Sequence, residues 1–168
     1  MANKRLRSGF TTGTAAAAAA KAALLALLRE ELPQTVRIDF LSEGSVVIPV
    51  HRLDRLSRNM ARATVIKDAG DDPDVTHGAI IIATVRHGPR GSGVCFKAGD
   101  GVGMVTMPGL PIAPGEPAIN PVPRRMIIDH VNAIANTRGV AADFEVEVSV
   151  PGGRELALKT WNPRLGIE

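Results

Sequence analysis

Residues 67–78, KDAGDDPDVTHG, gather four aspartates and one histidine around a proline and two glycines. Residues of these types, this close together, offer three kinds of chemistry. Asp71, Asp72 and Asp74 carry the oxygen ligands that a hard cation such as magnesium takes, although their spacing matches no calcium-loop pattern. Asp68 and His77 can accept protons if an apolar ligand desolvates them. An Asp-Pro turn that solvates its own carboxylates accounts for the same residues without any chemistry.

Two further stretches offer anion binding. TTGT at 11–14 and NPVPRR at 120–125 read as helix starts, where free backbone N–H groups and the positive end of the helix dipole attract carboxylates or phosphates. Thr11, Thr12 and Gly13 form the first, and Arg124 and Arg125 add cations at the second. Ordinary capping with surface arginines explains the same pattern, so these starts alone leave function undecided. The glycines of AGDGVGM, Gly99, Gly101 and Gly103, allow backbone to approach a ligand closely, yet they form neither a GxGxxG nor a P-loop. Turn geometry is their other explanation. His51, His87 and His130 are isolated and read as structural or surface residues. HExxH and histidine pairs at metal spacing are absent. Cys95, the single cysteine, reads as a buried inert thiol.

The elements that must position these residues follow from periodicity. Threonine caps and an alanine run predict a helix over 14–32, with Leu24, Leu28 and Leu32 as an apolar ridge ended by Pro33. Its alanine face would let a sheet, another backbone or a flat ligand come close. Valine- and isoleucine-rich runs predict strands at 35–40, 45–50, 60–67, 79–86 and 93–97, the first two joined by a turn at 42–44. Residues 99–121 read as a long irregular loop, a kind of segment that is disproportionately functional. A second helix is expected over 122–137, stopped by Gly139. The alternation FEVEVSV at 144–150 predicts a strand that turns at 151–153 and returns through Leu156, Leu158 and Thr160 as an antiparallel hairpin with one solvated face. This order implies an α+β fold, a mostly antiparallel sheet packed by two helices.

Composition narrows the classes. A chain of 168 residues, 45% hydrophobic and 22% charged, has the size and makeup of one globular domain. Aromatics at 3% with no tyrosine leave little material for a nucleic-acid surface of stacked rings, and a formal charge of +3 is only mildly basic. One cysteine excludes an internal disulfide and any CxxC motif, which fits a reducing cytoplasm. The basic start followed by alanines imitates a signal peptide, but Lys21 interrupts it. The stretch 15–28 is also short of the roughly 20 residues that span a bilayer. A soluble, cytoplasmic chain without membrane or nucleic-acid partners is expected.

Taken together, LRSGFTTGTAAAAAAKAA (6–23), KDAGDDPDVTHG, GDGVGMVTMPGL (99–110), GEPAINPVPRRMI (115–127) and NPRLGI (162–167) resemble the CbiD family, in the right order over nearly the whole chain. The resemblance implies methyl transfer from S-adenosylmethionine to ring carbon C-1 of a cobalt-precorrin in anaerobic cobalamin biosynthesis. Its substrate would be a large, flat polycarboxylate macrocycle, with the alanine-faced helix near the ring plane. On this basis Thr11, Thr12, Gly13, Arg124 and Arg125 are expected to hold substrate carboxylates, and Gly101 and Gly103 to bind the methyl donor. Asp72 and His77 are expected to do acid/base or positioning work. No protein-bound metal is expected, because the cobalt arrives with the substrate. Partners are the cobalt-precorrin itself and, where they exist, a second copy or other pathway enzymes. The fold implied is a βαβ-containing sandwich like the second domain of ribosomal protein S5. Family chains continue after NPRLGI into a further domain, so residues 1–168 are expected to be a single N-terminal, substrate-side domain with little or no transferase activity alone. The competing readings are a non-catalytic module for anionic tetrapyrroles and a magnesium-dependent phosphate enzyme using Asp71, Asp72 and Asp74.

Overall fold

The computed structural model describes residues 6–28 and 32–159. The NPRLGI motif, residues 29–31 of the expected first helix and the Thr160 end of the expected hairpin lie outside the described residues. Helix α1 (Thr12–Leu27) begins where Thr11, in an extended conformation, accepts the Thr14 N–H on its side chain at 3.1 Å. That bond satisfies one of the orphan donors of the first turn. The helix ends at Leu27, short of the ridge expected to reach Leu32, which is 62% exposed.

Strands β1 (Thr35–Asp39) and β2 (Ser45–Pro49) form the expected antiparallel hairpin. A second sheet holds five strands, β3 (Arg52–Ser57), β4 (Met60–Ile66), β5 (Ile80–His87), β6 (Val94–Ala98) and β7 (Phe144–Ser149), in the order β3-β4-β5-β7-β6. Only the β6–β7 pair is parallel. The chain between those two strands passes through α2 (Pro121–Arg138), making a βαβ unit. The α+β class and the antiparallel majority are as expected.

Strand β3 was not expected. Its sequence, RLDRLS, is charged and largely exposed, as an edge strand tolerates, so it lacks the alternation that marks a half-buried strand. The expected hairpin after β7 is corrected too. Residues 153–158 form a short third helix, α3 (Gly153–Leu158), with Leu158 80% exposed. A returning strand has no place to pair, because β7 is already bonded to β5 on one side and β6 on the other.

The core lies around α1, which packs on β3, β4 and β5 of the large sheet, on β1 of the hairpin and on α2. Ala61, Ala63 and Val65 of β4, Ile81, Ala83 and Val85 of β5, and Phe144, Val146 and Val148 of β7 supply the sheet side. The alanines of α1 are buried on every face, with Ala15 and Ala17 through Ala20 fully inaccessible. Small side chains let three layers meet closely around one helix. Of the close neighbours expected for the alanine face, a sheet and another helix are the ones present, and they leave that face no room for a flat ligand. Among the described residues no helix is long and apolar enough to cross a membrane.

Candidate functional site

The start of α1, the start of α2 and the 67–78 loop converge on one cavity of about 710 Å³. That volume falls within the usual range for small-molecule sites. Its wall includes Thr11, Thr12, Gly13, Lys67, Asp72 and Asn120. The two helix starts touch: a Cβ placed on Gly13 would come within 2.5 Å of the Pro123 ring. Gly13 thus allows the two positive dipole ends to sit side by side.

The 67–78 loop is held by bonds that its sequence conceals. Ser8 pairs with Gly70 in an isolated antiparallel bridge, the Arg7 N–H donates to Asp71 at 2.6 Å, and the Asp71 N–H donates to the Arg7 carbonyl at 3.0 Å. Arg7 also donates from Nη1 and Nη2 to the two oxygens of Asp68 at 2.5 and 2.9 Å. The Arg7 guanidinium, with the Gly70 N–H, holds the Asp68 carboxyl below the usual carboxylate range.

Within the loop, the Lys67 ammonium donates to Asp74, and Asp74 also accepts from the Thr76 N–H at 2.8 Å and the Thr76 hydroxyl at 2.7 Å. Lys67, then the Thr76 donors, lower the Asp74 carboxyl to about 2. Asp71 and Asp74 are thus turned to different donors, Arg7 and Lys67. Among the described residues no group of three His, Cys, Asp or Glu side chains is arranged to hold a metal ion. Asp72 is exposed on the cavity wall, and its carboxylate has no hydrogen-bond partner among the described residues.

The structure separates the two residues expected to do acid/base or positioning work. Asp72 lines the first cavity, whereas His77 lines a second of about 620 Å³, with Phe10 and Lys67 on the wall of both. His77 Nδ1 accepts the Ala69 N–H at 3.0 Å and stands 3.8 Å from Asp68 Oδ1.

Arg124 and Arg125 line neither cavity. Arg124 donates to the carbonyls of Ile119 (2.9 Å) and Pro117 (2.8 Å) and to Glu116 (3.1 Å), and its guanidinium lies 5.0 Å from the Phe96 ring centre. It fastens the end of the long loop to α2 and β6. Arg125 pairs with Asp129 one turn along α2, at 2.9 Å. Gly101, at φ +71°, presses on the Val150 carbonyl so closely that any Cβ would collide with backbone. The Gly103 carbonyl accepts the Ala118 N–H at 2.8 Å. Neither glycine lines either cavity, and at Gly101 the position of a Cβ is filled by the Val150 and Gly153 backbone. Cys95, expected to be buried, is exposed on β6. Its position in a strand gave no sign of which face it would take.

Sequence reasoning missed Lys67, whose side chain is 3% exposed at the junction of the two cavities. Its place as the last residue before the aspartates, directly after a valine- and isoleucine-rich strand, was the available signal. Arg7 was missed as well, because nothing local links it to Asp68, 61 residues away.

The CbiD family model matches residues 1–168. The chain is 59% identical over 162 residues to the cobalt-precorrin-5B C(1)-methyltransferase of Paramagnetospirillum magneticum, covering 96% of this chain and 45% of that protein. It is 57% identical over 164 residues to the enzyme of the same name from Agrobacterium fabrum, covering 98% and 43%. The crystal structure of cobalamin biosynthesis protein CbiD from Archaeoglobus fulgidus superposes with a TM-score of 0.70 at 34% identity, over 97% of this chain and 50% of that one. The chain thus spans less than half the length of these two curated relatives.

Proposed function

The chain belongs to the CbiD family, and from that premise we propose that it is the substrate-side part of an enzyme that methylates ring carbon C-1 of cobalt-precorrin-5B in cobalamin biosynthesis. The donor in this reading is S-adenosylmethionine, and the setting is the cytoplasm. The observation that carries it is the meeting of three family-like segments, TTGT, the 67–78 loop and INPVP, around the 710 Å³ cavity. The start of α1 brings its first-turn N–H groups to a polyanionic macrocycle, and α2, whose Pro121 and Pro123 carry none, adds its positive dipole end and the Val122 N–H. Thr11, Thr12 and Gly13 form one edge of that mouth. Asp72, exposed on the same wall and with a carboxylate that no described residue hydrogen-bonds, is the group that would meet the ring, as a proton acceptor or a positioning group. The chemistry itself needs the donor methyl and the ring carbon aligned for in-line attack, which is a demand on geometry more than on any one side chain.

The test is to incubate the chain with the cobalt-precorrin and S-adenosylmethionine, measuring macrocycle binding by its visible absorption and a one-methyl gain by mass spectrometry. Saturable binding with methyl gain supports the full reading. Binding without gain limits the chain to a tetrapyrrole-binding domain. Absence of binding overturns the proposal.

A further inference from the structure

The second cavity carries an inference that rests on the proposed function and concerns His77. Its polar wall is formed by Arg7, His51, Lys67, Asp68 and His77. Asp68, the one carboxylate that the described residues give to that wall, is already occupied: its oxygens accept from Arg7 Nη1 and Nη2 and from the Gly70 N–H at 2.8 Å. The remaining polar groups are mainly donors, since a guanidinium carries five N–H bonds and Arg7 spends two on Asp68. A guest for such a wall must be rich in acceptors, as an ionised carboxylate is.

The bond from the Ala69 N–H to His77 Nδ1 decides what the imidazole can do. A ring nitrogen that receives a backbone N–H is using its lone pair as acceptor and cannot also carry a proton. The neutral ring therefore holds its hydrogen on Nε2, which makes the other nitrogen a donor and not a base. The His77 side chain is 54% exposed, so that donor is reachable from the cavity. We propose that the second cavity is a carboxylate subsite, in which His77 donates from Nε2 to one carboxylate arm of the macrocycle whose ring occupies the first cavity. Phe10 and Lys67, common to both walls, mark the partition that the arm crosses. His77 is on this view a binding residue, which takes the positioning side of the acid/base or positioning role expected of it.

Two amide substitutions separate the two ring nitrogens. His77→Asn puts an acceptor oxygen near the position of Nδ1 and keeps the bond from Ala69, while removing the donor; His77→Gln puts an amide N–H near Nε2 and gives up the bond from Ala69. The probe is a polycarboxylate porphyrin titrated by absorbance, with the thermal midpoint of each variant recorded alongside. The expected result is that His77→Asn melts with the parent but binds about 5-fold more weakly, the loss of one hydrogen bond worth roughly 1 kcal/mol. His77→Gln should bind within about 2-fold of the parent despite a lower midpoint, as a residual loss well under one hydrogen bond. Equal binding by His77→Asn and the parent overturns the subsite and leaves His77 as a loop clamp, and so does parallel loss of binding and midpoint in both variants. A parent chain that binds no porphyrin overturns this inference together with the proposed function.

Discussion

Lys67 and Asp74 form an ion pair whose members sit in different surroundings: the lysine side chain is 3% exposed and the aspartate 38%. Losing one partner should therefore cost far more than losing the other. Asp74→Ala strands a buried ammonium and is expected to destabilise the chain by about 3 kcal/mol, the lower end for breaking a buried pair. Lys67→Met leaves Asp74 within reach of water and its two Thr76 donors, and should cost about 1 kcal/mol or less, since an apolar replacement of similar size is often near neutral. Urea midpoints of the two variants check the asymmetry.

The same pair fixes an acid limb. Asp74 falls from 3.8 to about 2 on folding, so its contribution is fully present above pH 3.8 and is lost as pH drops through about 2. After discounting for solvent screening at a carboxylate this exposed, the contribution is roughly 1 kcal/mol. Asp74→Asn should flatten that part of the stability curve, measured by chemical denaturation between pH 5 and pH 2.

His130 on α2 titrates in the opposite sense to a paired histidine. Burial first, then the neighbouring Lys21, push its imidazole below 6.5, against the pull of the Asp39 carbonyl and the Asp39 and Asp129 carboxylates. The unfolded chain therefore takes up a proton near pH 6.5 that the folded chain refuses, and stability falls as pH drops from there towards the lowered folded value. The parent should lose more stability between pH 7 and pH 5 than His130→Gln does, read from denaturation midpoints at each pH.

Gly13→Ala tests the contact between the helix starts. Alanine in place of glycine in a helix normally gains up to about 1 kcal/mol. Here the new methyl meets the Pro123 ring at 2.5 Å, so overpacking should win and leave a net loss of about 1–2 kcal/mol. A thermal melt above that of the parent would show that the helix ends yield freely.

Arg124→Ala should lower stability by about 2 kcal/mol through two lost carbonyl bonds and the contact with Phe96, yet leave macrocycle affinity of the folded protein unchanged. Arg125→Ala, which loses only an exposed pair with Asp129, should change stability by about 0.5 kcal/mol or less. Porphyrin titration together with denaturation distinguishes an anchor from a ligand-binding arginine.

Much of the fold was legible because local signals agreed with it. The threonine cap and alanines announced α1, Gly139 marked the end of α2 at φ +66°, and the valine- and isoleucine-rich runs became β1, β2, β4, β5 and β6 within a residue or so of their expected bounds. Strand β3 escaped because an exposed edge places no demand on alternation. The segment after β7 misled because Leu156 and Leu158 alternate like a strand, while pairing depends on whether a neighbour has an open edge.

The site divides along the same line. Residue order alone singled out TTGT, KDAGDDPDVTHG and NPVPRR, since caps, prolines and clustered carboxylates are local chemistry, and together they carried the family resemblance. Which of these residues face a cavity was settled by contacts across tens of residues, Arg7 with Asp68, Gly13 with Pro123 and Gly101 with Val150, and by the turn of Arg124 back onto the Pro117 and Ile119 carbonyls. KDAGDDPDVTHG names a histidine and four aspartates, but only the folded chain sends Asp72 to one cavity and His77 to the other. It does so because the direction of a side chain is set by the backbone bonds of its loop, and those bonds reach to partners far away in sequence.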